Sequence, residues 1–184
     1  RQKPDNKNQH MKKIFLFCML IPLLGIGQKK NIVSTFRAFP KVDKVLEFEK
    51  AMALHAQKYH SGDWKWRVFE IQSGPDYGGY HVTEGPLSWE MIDNRGNLGA
   101  EHNNDWNKNV AIYLTERTSS SYSVYEDSLS TVAIGDYSDK INITHWFPKP
   151  GWGSKVREVI GQMRNTWKAT GQTVAVYSSS SSGP

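Results

Sequence analysis

The sequence predicts an α+β protein, and three observations lead to that fold class. Segments rich in β-branched and aromatic residues alternate with segments whose apolar residues recur every three or four positions. Taken along the chain, these segments run strand, helix, strand, strand, helix, strand. Residues 39–75, which begin Phe-Pro-Lys and end Ser-Gly-Pro, return as residues 147–184 at an almost constant offset. The chain is therefore predicted to contain a duplicated module.

Residues 1–27 have the features of a secretory signal peptide, preceded by a short upstream extension. Met11 is followed by two lysines, then by an apolar run from Ile14 to Gly27 that is too short for a membrane-spanning helix. A buried helix is the alternative interpretation. We expect a bacterial protein exported to the periplasm or the medium, beginning near Gln28, with no membrane insertion of the mature form. Because Cys18 lies in the apolar run, the mature chain would carry no thiol.

The net charge does not indicate a nucleic-acid partner. The chain carries 23 basic and 18 acidic side chains, and residues 1–27 hold five of the basic ones against one acidic. Residues 28–184 are therefore close to neutral, and no basic stripe is visible in them. A nucleic-acid-binding surface would require such a stripe, so this class of function is excluded.

The first predicted strand spans residues 32–39, where β-branched and aromatic residues end at Pro40. A helix is predicted to follow this strand. Five apolar or aromatic side chains share one face at helical spacing, and Gly62 marks the end; they are Val45, Phe48, Met52, Ala56 and Tyr59.

Two strands and a second helix complete the first module. Residues 64–71 and 80–84 have strand composition, and residues 87–92 are a possible continuation of the second strand. Residues 93–99 are predicted to be a polar loop. A helical face then runs from Trp106 to Arg117, and residues 122–125 form the closing strand.

The second copy repeats only the opening of the first. Residues 141–147 are predicted as a strand, a helix follows with Val156, Ile160 and Met163 on its face, and residues 173–177 form the next strand. The predicted domains are therefore residues 28–139 and residues 140–184, the second being half a module. The repeat predicts roughly 60 further residues after Pro184.

The element order resembles the ferredoxin-like βαββαβ motif. Two such modules can bury their open sheet faces against each other, and on this pattern residues 31–184 resemble the dimeric α+β barrel superfamily in a fused, tandem form. That resemblance implies two modules packed sheet to sheet with a cavity between them. The superfamily contains small oxygenases, haem-binding enzymes and proteins without known activity.

No motif in the sequence specifies a reaction, so the histidines are the next candidates. His55 and His60 lie five positions apart, about 140° around a helix, which is too far to share a metal ion. His102 is expected to be solvated at the start of the second helix. We therefore predict no metal site.

Arg37, His81 and His145 are the favoured ligand-binding residues. His81 and His145 lie in predicted strands, and Arg37 corresponds to His145 at the offset of the repeat. Polar groups beside the apolar rings of Phe39 and Phe147 are typical of a small-ligand pocket. The alternative is that these polar groups only reach solvent at the ends of the strands.

Glu70 is the fourth candidate, with Glu84 on the neighbouring strand as its companion. Two carboxylates can perform acid–base chemistry when burial raises the pKa of one. An ion pair with a nearby arginine is the simpler interpretation of Glu70.

These residues predict a small-ligand-binding protein with its site between the modules. No cofactor is predicted for that function. The alternative is a barrel-type enzyme, a cofactor-free oxygenase or a haem-dependent one, with a histidine as base or ligand. A glycan-binding surface at Trp152 is a third possibility. Fold alone does not decide whether the chain is an enzyme, and composition does not give its oligomeric state.

Overall fold

Strand β1 (Ile32–Pro40) lies at the centre of an antiparallel sheet in the computed structural model, which describes residues 29–95 and 98–180. The strand order is β2-β3-β1-β4-β5, so β1 pairs with β3 on one side and β4 on the other. The other strands are β2 (Trp66–Glu70), β3 (Tyr80–Leu87), β4 (Leu114–Tyr125) and β5 (Tyr177–Ser179). The prediction of an α+β protein is confirmed. The predicted signal peptide, Cys18 and the final Ser-Gly-Pro lie outside the described residues.

Four α-helices accompany this sheet in the part of the chain that the structure describes. They are α1 (Val45–Tyr59), α2 (Trp89–Asn94), α3 (Gly99–Asp105) and α4 (Gly153–Ala169). Short 3₁₀ turns lie at Val42–Lys44, Gly62–Trp64, Ala111–Tyr113 and Asp127–Leu129. None of these helices is long and apolar enough to cross a membrane.

The core lies between α1 and one face of the sheet. Phe48 of α1, Val82 of β3 and Val110 are completely buried, and Met52 and Ala38 pack beside them. Their spacing in the sequence explains this, because residues at i and i+4 share one face of a helix and alternate residues share one face of a strand. The predicted strand at 32–39 and the helical face from Val45 are confirmed.

The connections place β3 between β1 and β2, and β1 between β3 and β4. Each of the two strand–helix–strand units therefore has another strand inserted between its own two. Over residues 32–125 the four strands and the first helix follow one another as predicted, but two short helices, α2 and α3, lie where a single helix was predicted between β3 and β4.

Two boundaries in this region differ from the prediction. β3 ends at Leu87, and Ser88 caps α2 by accepting a hydrogen bond from the Met91 amide at 3.1 Å, so residues 89–92 are helical rather than extended. The predicted helix to Arg117 instead passes through a π-helical turn at Trp106–Val110 and a 3₁₀ turn before β4 begins at Leu114.

The strand predicted at residues 141–147 is not present. These residues pair with no strand of the described structure and are all exposed, although their apolar side chains alternate as in a half-buried strand. A strand needs a neighbour for its backbone groups and a surface for its apolar face. β5 instead joins the existing sheet beside β4. The described residues thus form one sheet rather than two facing sheets.

Candidate metal centre

Three histidines from separate parts of the chain meet at the side of the core. His55 lies on the buried face of α1, His60 directly follows the last residue of that helix, and His102 lies on α3. Each offers a ring nitrogen, and the three nitrogens all lie within 4.8 Å of one another. His55 and His60 are buried and His102 is half-buried.

The predicted separation of His55 and His60 around a helix axis is wrong, because that prediction placed His60 inside the helix. α1 ends at Tyr59, and His60 adopts φ −120° and ψ 80°, which is not helical. The backbone turns at that residue and brings the two ring centroids to 5.3 Å. His102 was expected to be solvated, yet its ring centroid lies 4.8 Å from that of His55.

One nitrogen of each ring is already hydrogen-bonded to an oxygen. His55 Nδ1 lies 2.6 Å from Asp105 Oδ2, and His60 Nδ1 lies 3.1 Å from Glu84 Oε2. His102 Nδ1 lies 3.1 Å from the Oδ1 of Asn103. Carboxylate and amide oxygens accept, so each Nδ1 carries the proton.

The other nitrogen of each ring has no partner among the described residues. The Nε2 atoms of His55, His60 and His102 are buried and form no hydrogen bond there. With the proton on Nδ1, each Nε2 presents a lone pair. Buried polar atoms without partners are uncommon in folded proteins, so three such ring nitrogens close to one another form a candidate set of metal ligands.

The electrostatics of His55 favour a neutral ring. Burial lowers its pKa, with further lowering from His102 and His60, while the hydrogen bond to Asp105 opposes the change. The same hydrogen bond, with a second from Asn109, lowers the pKa of the Asp105 carboxyl. A neutral imidazole hydrogen-bonded to a carboxylate is the usual form of a histidine metal ligand.

Glu84 organises the other side of the cluster. Its carboxylate is 6% exposed and accepts from His60, from Trp66 Nε1 at 2.8 Å, and from both terminal nitrogens of Arg95 at 2.8 and 3.0 Å. The guanidinium of Arg95 also lies over the ring of Trp64, 4.3 Å from its centroid. These bonds hold the His60 ring in one orientation.

Aromatic rings surround the histidines. The ring of His60 stacks on Trp66 with centroids 3.6 Å apart, and the His55 ring lies 5.3 Å from that of Trp106. Apolar walls of this kind limit the access of water to a metal site and lower the local dielectric constant.

The three nitrogens fit a transition-metal ion. Imidazole nitrogen is a preferred ligand of Zn, Cu, Fe and Ni. With zinc–nitrogen bonds of about 2.05 Å, the nitrogens of a tetrahedral site lie about 3.4 Å apart. Loading the site would therefore draw the nitrogens together by at most about 1.4 Å, a movement within the range of small side-chain rotations.

Three of the residues predicted from the sequence lie together elsewhere. Arg37 on β1 and His81 on β3 are cross-strand neighbours on the sheet face away from α1, and Arg37 Nη2 lies 3.1 Å from His145 Nε2. Arg37 also forms an ion pair with Asp76. Burial, together with Arg37 and His145, lowers the pKa of His81 to about 4.

Glu70, the fourth predicted residue, does not join them. It pairs with Tyr80 across β2 and β3, which places it on the face that carries the core. There it is exposed and accepts a hydrogen bond from Gln72 at 3.4 Å. Its predicted companion Glu84 shares that face but belongs to the histidine cluster.

Comparisons with known proteins add no identification, since no family model, no curated protein and no solved structure matches the chain. The site is therefore defined by its geometry alone.

Proposed function

We propose that the chain binds one divalent transition-metal ion through Nε2 of His55, His60 and His102. The observation that carries this proposal is the set of three buried Nε2 atoms without a partner in the described structure, each on a ring whose Nδ1 is held by an oxygen. Structural zinc sites have four protein ligands, whereas catalytic sites have three and keep a position open for water or substrate. Three histidines therefore favour a metal-dependent enzyme acting on a small molecule.

Zinc is the first metal to test, because it is usually bound in tetrahedral geometry and three histidines can hold it without a cysteine ligand. A zinc ion would supply Lewis acidity and lower the pKa of bound water. The protein's own residues hold the rings: Asp105 and Glu84 fix the orientations of His55 and His60, and Trp66 covers the His60 ring.

Calorimetry of the full-length chain, stripped of metal with a chelator, tests the proposal. Zinc should bind with a stoichiometry of one, and His60→Ala should weaken binding at least a hundredfold. His145→Ala is the matched control, since it removes a histidine outside the cluster and should bind zinc like the wild type. Equal zinc affinity in the wild type and His60→Ala would overturn the proposal.

A second candidate function is small-ligand binding at Arg37, His81 and His145, as predicted from the sequence. The grouping of these residues supports it, since Arg37 and His81 are cross-strand neighbours on one sheet face and His145 lies beside Arg37. If the protein is instead a cofactor-free oxygenase or a haem-dependent enzyme, a histidine of this group would act as the general base or as the haem ligand. The visible spectrum with and without added haem separates these cases: a Soret shift lost in His145→Ala favours haem, and an unchanged spectrum leaves cofactor-free binding or catalysis.

We also propose the tandem architecture and the export of the protein. The strand order over residues 32–125 is compatible with a first ferredoxin-like module, and a second module packed sheet to sheet is the arrangement that the repeat predicts. Mass spectrometry of the exported protein should find an N terminus near Gln28. A mature product that retains Met11 would contradict export by this signal.

A further inference from the structure

A cleft of about 650 Å³ opens beside the histidine cluster. His60 and His102 line it, while the side chain of His55 is completely buried. An ion held by the three Nε2 atoms would therefore lie at the wall of this cleft, and its open coordination position would be accessible from there. Whatever binds next to the ion must suit the other walls of the cleft.

Three aromatic rings form one corner of the cleft. Phe36 lies 5.2 Å from Trp66 and 6.1 Å from Trp106, and the two indoles lie 6.1 Å apart. The planes meet at 66°, 85° and 89°, so each ring presents an edge to the face of another. A flat ring is the shape that gains both face and edge contacts in such a corner.

The charged residues in the cleft are already paired with each other. Glu84 receives four hydrogen bonds, two of them from Arg95, and the Arg95 guanidinium also lies over Trp64. The lining therefore holds a carboxylate and a guanidinium whose charges cancel. A free cation or carboxylate that would select an oppositely charged ligand is not among the described residues that line this cleft.

The formal charge of the metal-loaded site then determines the sign of the charge that a ligand should carry. A divalent ion on three neutral imidazoles contributes +2, Asp105 and Glu84 contribute −1 each, and Arg95 contributes +1, which leaves +1. A charge buried beside aromatic walls is costly unless it is paired. A single negative charge at the open position balances the site.

We infer that the cleft binds a small aromatic monoanion, with its carboxylate-type group at the open metal position and its ring in the corner of Phe36, Trp66 and Trp106. This inference rests on the proposed metal site and names the class of molecule that the site accepts. The ring and the charge are separate requirements, because different residues impose them.

Benzoate is the probe, and the full-length protein loaded with Co²⁺ is the receptor. Cobalt reports on its own coordination through its visible absorption bands, and tryptophan fluorescence reports on the corner. Benzoate should change both signals, whereas benzylammonium, which has the same ring and the opposite charge, should change neither. Cyclohexanecarboxylate, which keeps the charge without the flat ring, should bind at least tenfold more weakly than benzoate.

The variant Phe36→Leu isolates the corner, since Phe36 has no ring contact with a histidine in the described structure. It should weaken benzoate at least tenfold and leave cobalt affinity unchanged. Phe69→Leu, the same change on the opposite sheet face, should alter neither.

Each failure has a distinct meaning. If cobalt binds and benzoate leaves its bands unchanged, the ligand class is wrong and the metal site stands. If benzylammonium or cyclohexanecarboxylate binds as tightly as benzoate, the charge or the ring argument is wrong. If cobalt itself does not bind, the proposed function fails first.

Discussion

Glu84→Gln is the most informative single substitution, because it keeps the shape of the side chain and removes its charge. In the folded protein this carboxylate is 6% exposed and pairs with Arg95, His60 and Trp66. Losing one partner of a fully buried ion pair costs about 3–5 kcal/mol. Arg95 is 27% exposed and can regain water, so we expect a loss of about 2–3 kcal/mol in the metal-free protein.

The same substitution should weaken metal binding separately. A carboxylate behind a histidine ligand contributes about 10–100-fold to metal affinity. With zinc at about 100 times the wild-type Kd, binding stabilises the wild type by about 2.7 kcal/mol. For a variant whose Kd is about 10–100 times larger, the gain at that zinc concentration falls to about 0.4–1.4 kcal/mol.

Thermal unfolding followed by circular dichroism measures both effects, once with chelator and once with zinc. For a chain of this size the metal-free loss corresponds to a Tm decrease of about 4–12 °C. Glu70→Gln is the control, because Glu70 lies on the same sheet face but is exposed and accepts its hydrogen bond from the exposed Gln72. The reasoning is refuted if Glu84→Gln keeps wild-type zinc affinity while losing stability, since Glu84 would then support the fold alone.

Three further predictions concern the sheet and the helix α1 that packs on it. Phe48→Ala, at a completely buried position, should lower the free energy of unfolding by about 3–5 kcal/mol in urea denaturation. Gly85→Ala should cost about 2 kcal/mol or more in the same assay, because φ is +134° and a Cβ would lie 2.9 Å from the Ile32 carbonyl oxygen. Burial beside Arg37 lowers the pKa of His81 to about 4, so the unfolded chain binds the proton more readily. Stability should therefore fall by about 2.6 kcal/mol from pH 6.5 to 4, and less in His81→Gln.

Each of these three predictions has a result that would contradict it. A wild-type urea midpoint for Phe48→Ala would place that ring outside the core. A Gly85→Ala protein as stable as the wild type would show that the strand accommodates a side chain there. Parallel pH profiles for the wild type and His81→Gln would mean that His81 titrates normally in the folded protein.

The sheet could be predicted from the sequence because periodicity and burial agree along β1 and α1. Phe48 and Met52 recur at helical spacing and are buried, and β1 carries β-branched and aromatic residues that end at Pro40. These patterns need no knowledge of distant contacts. The prediction failed at residues 141–147, where the alternation is equally clear, because a strand also requires a partner and a surface to cover.

The histidine cluster could not be predicted because it depends on one residue at a helix end. Gly62 suggested where α1 stops, but the last helical residue is Tyr59, and boundaries are the least certain feature of a sequence pattern. The angle between His55 and His60 was calculated as if both residues were helical. That calculation does not hold for His60, which follows the last helical residue. His102 is more than 40 positions away, and no local pattern connects it to the other two.

The π-helical turn at Trp106–Val110 is a place where the chain can lose one residue without displacing the histidine cluster. A π turn holds one residue more than the corresponding α turn, and β4 is fixed in the sheet after one intervening 3₁₀ turn. Deleting Lys108 would let this turn wind as ordinary α-helix, and α3 would keep nearly its present orientation relative to β4, because only the extra residue of the turn is lost. His102 and Asp105 would therefore stay beside His55, and the sheet would stay intact. A relative with an ordinary α turn here would thus carry the same fold and the same histidine cluster in a chain one residue shorter.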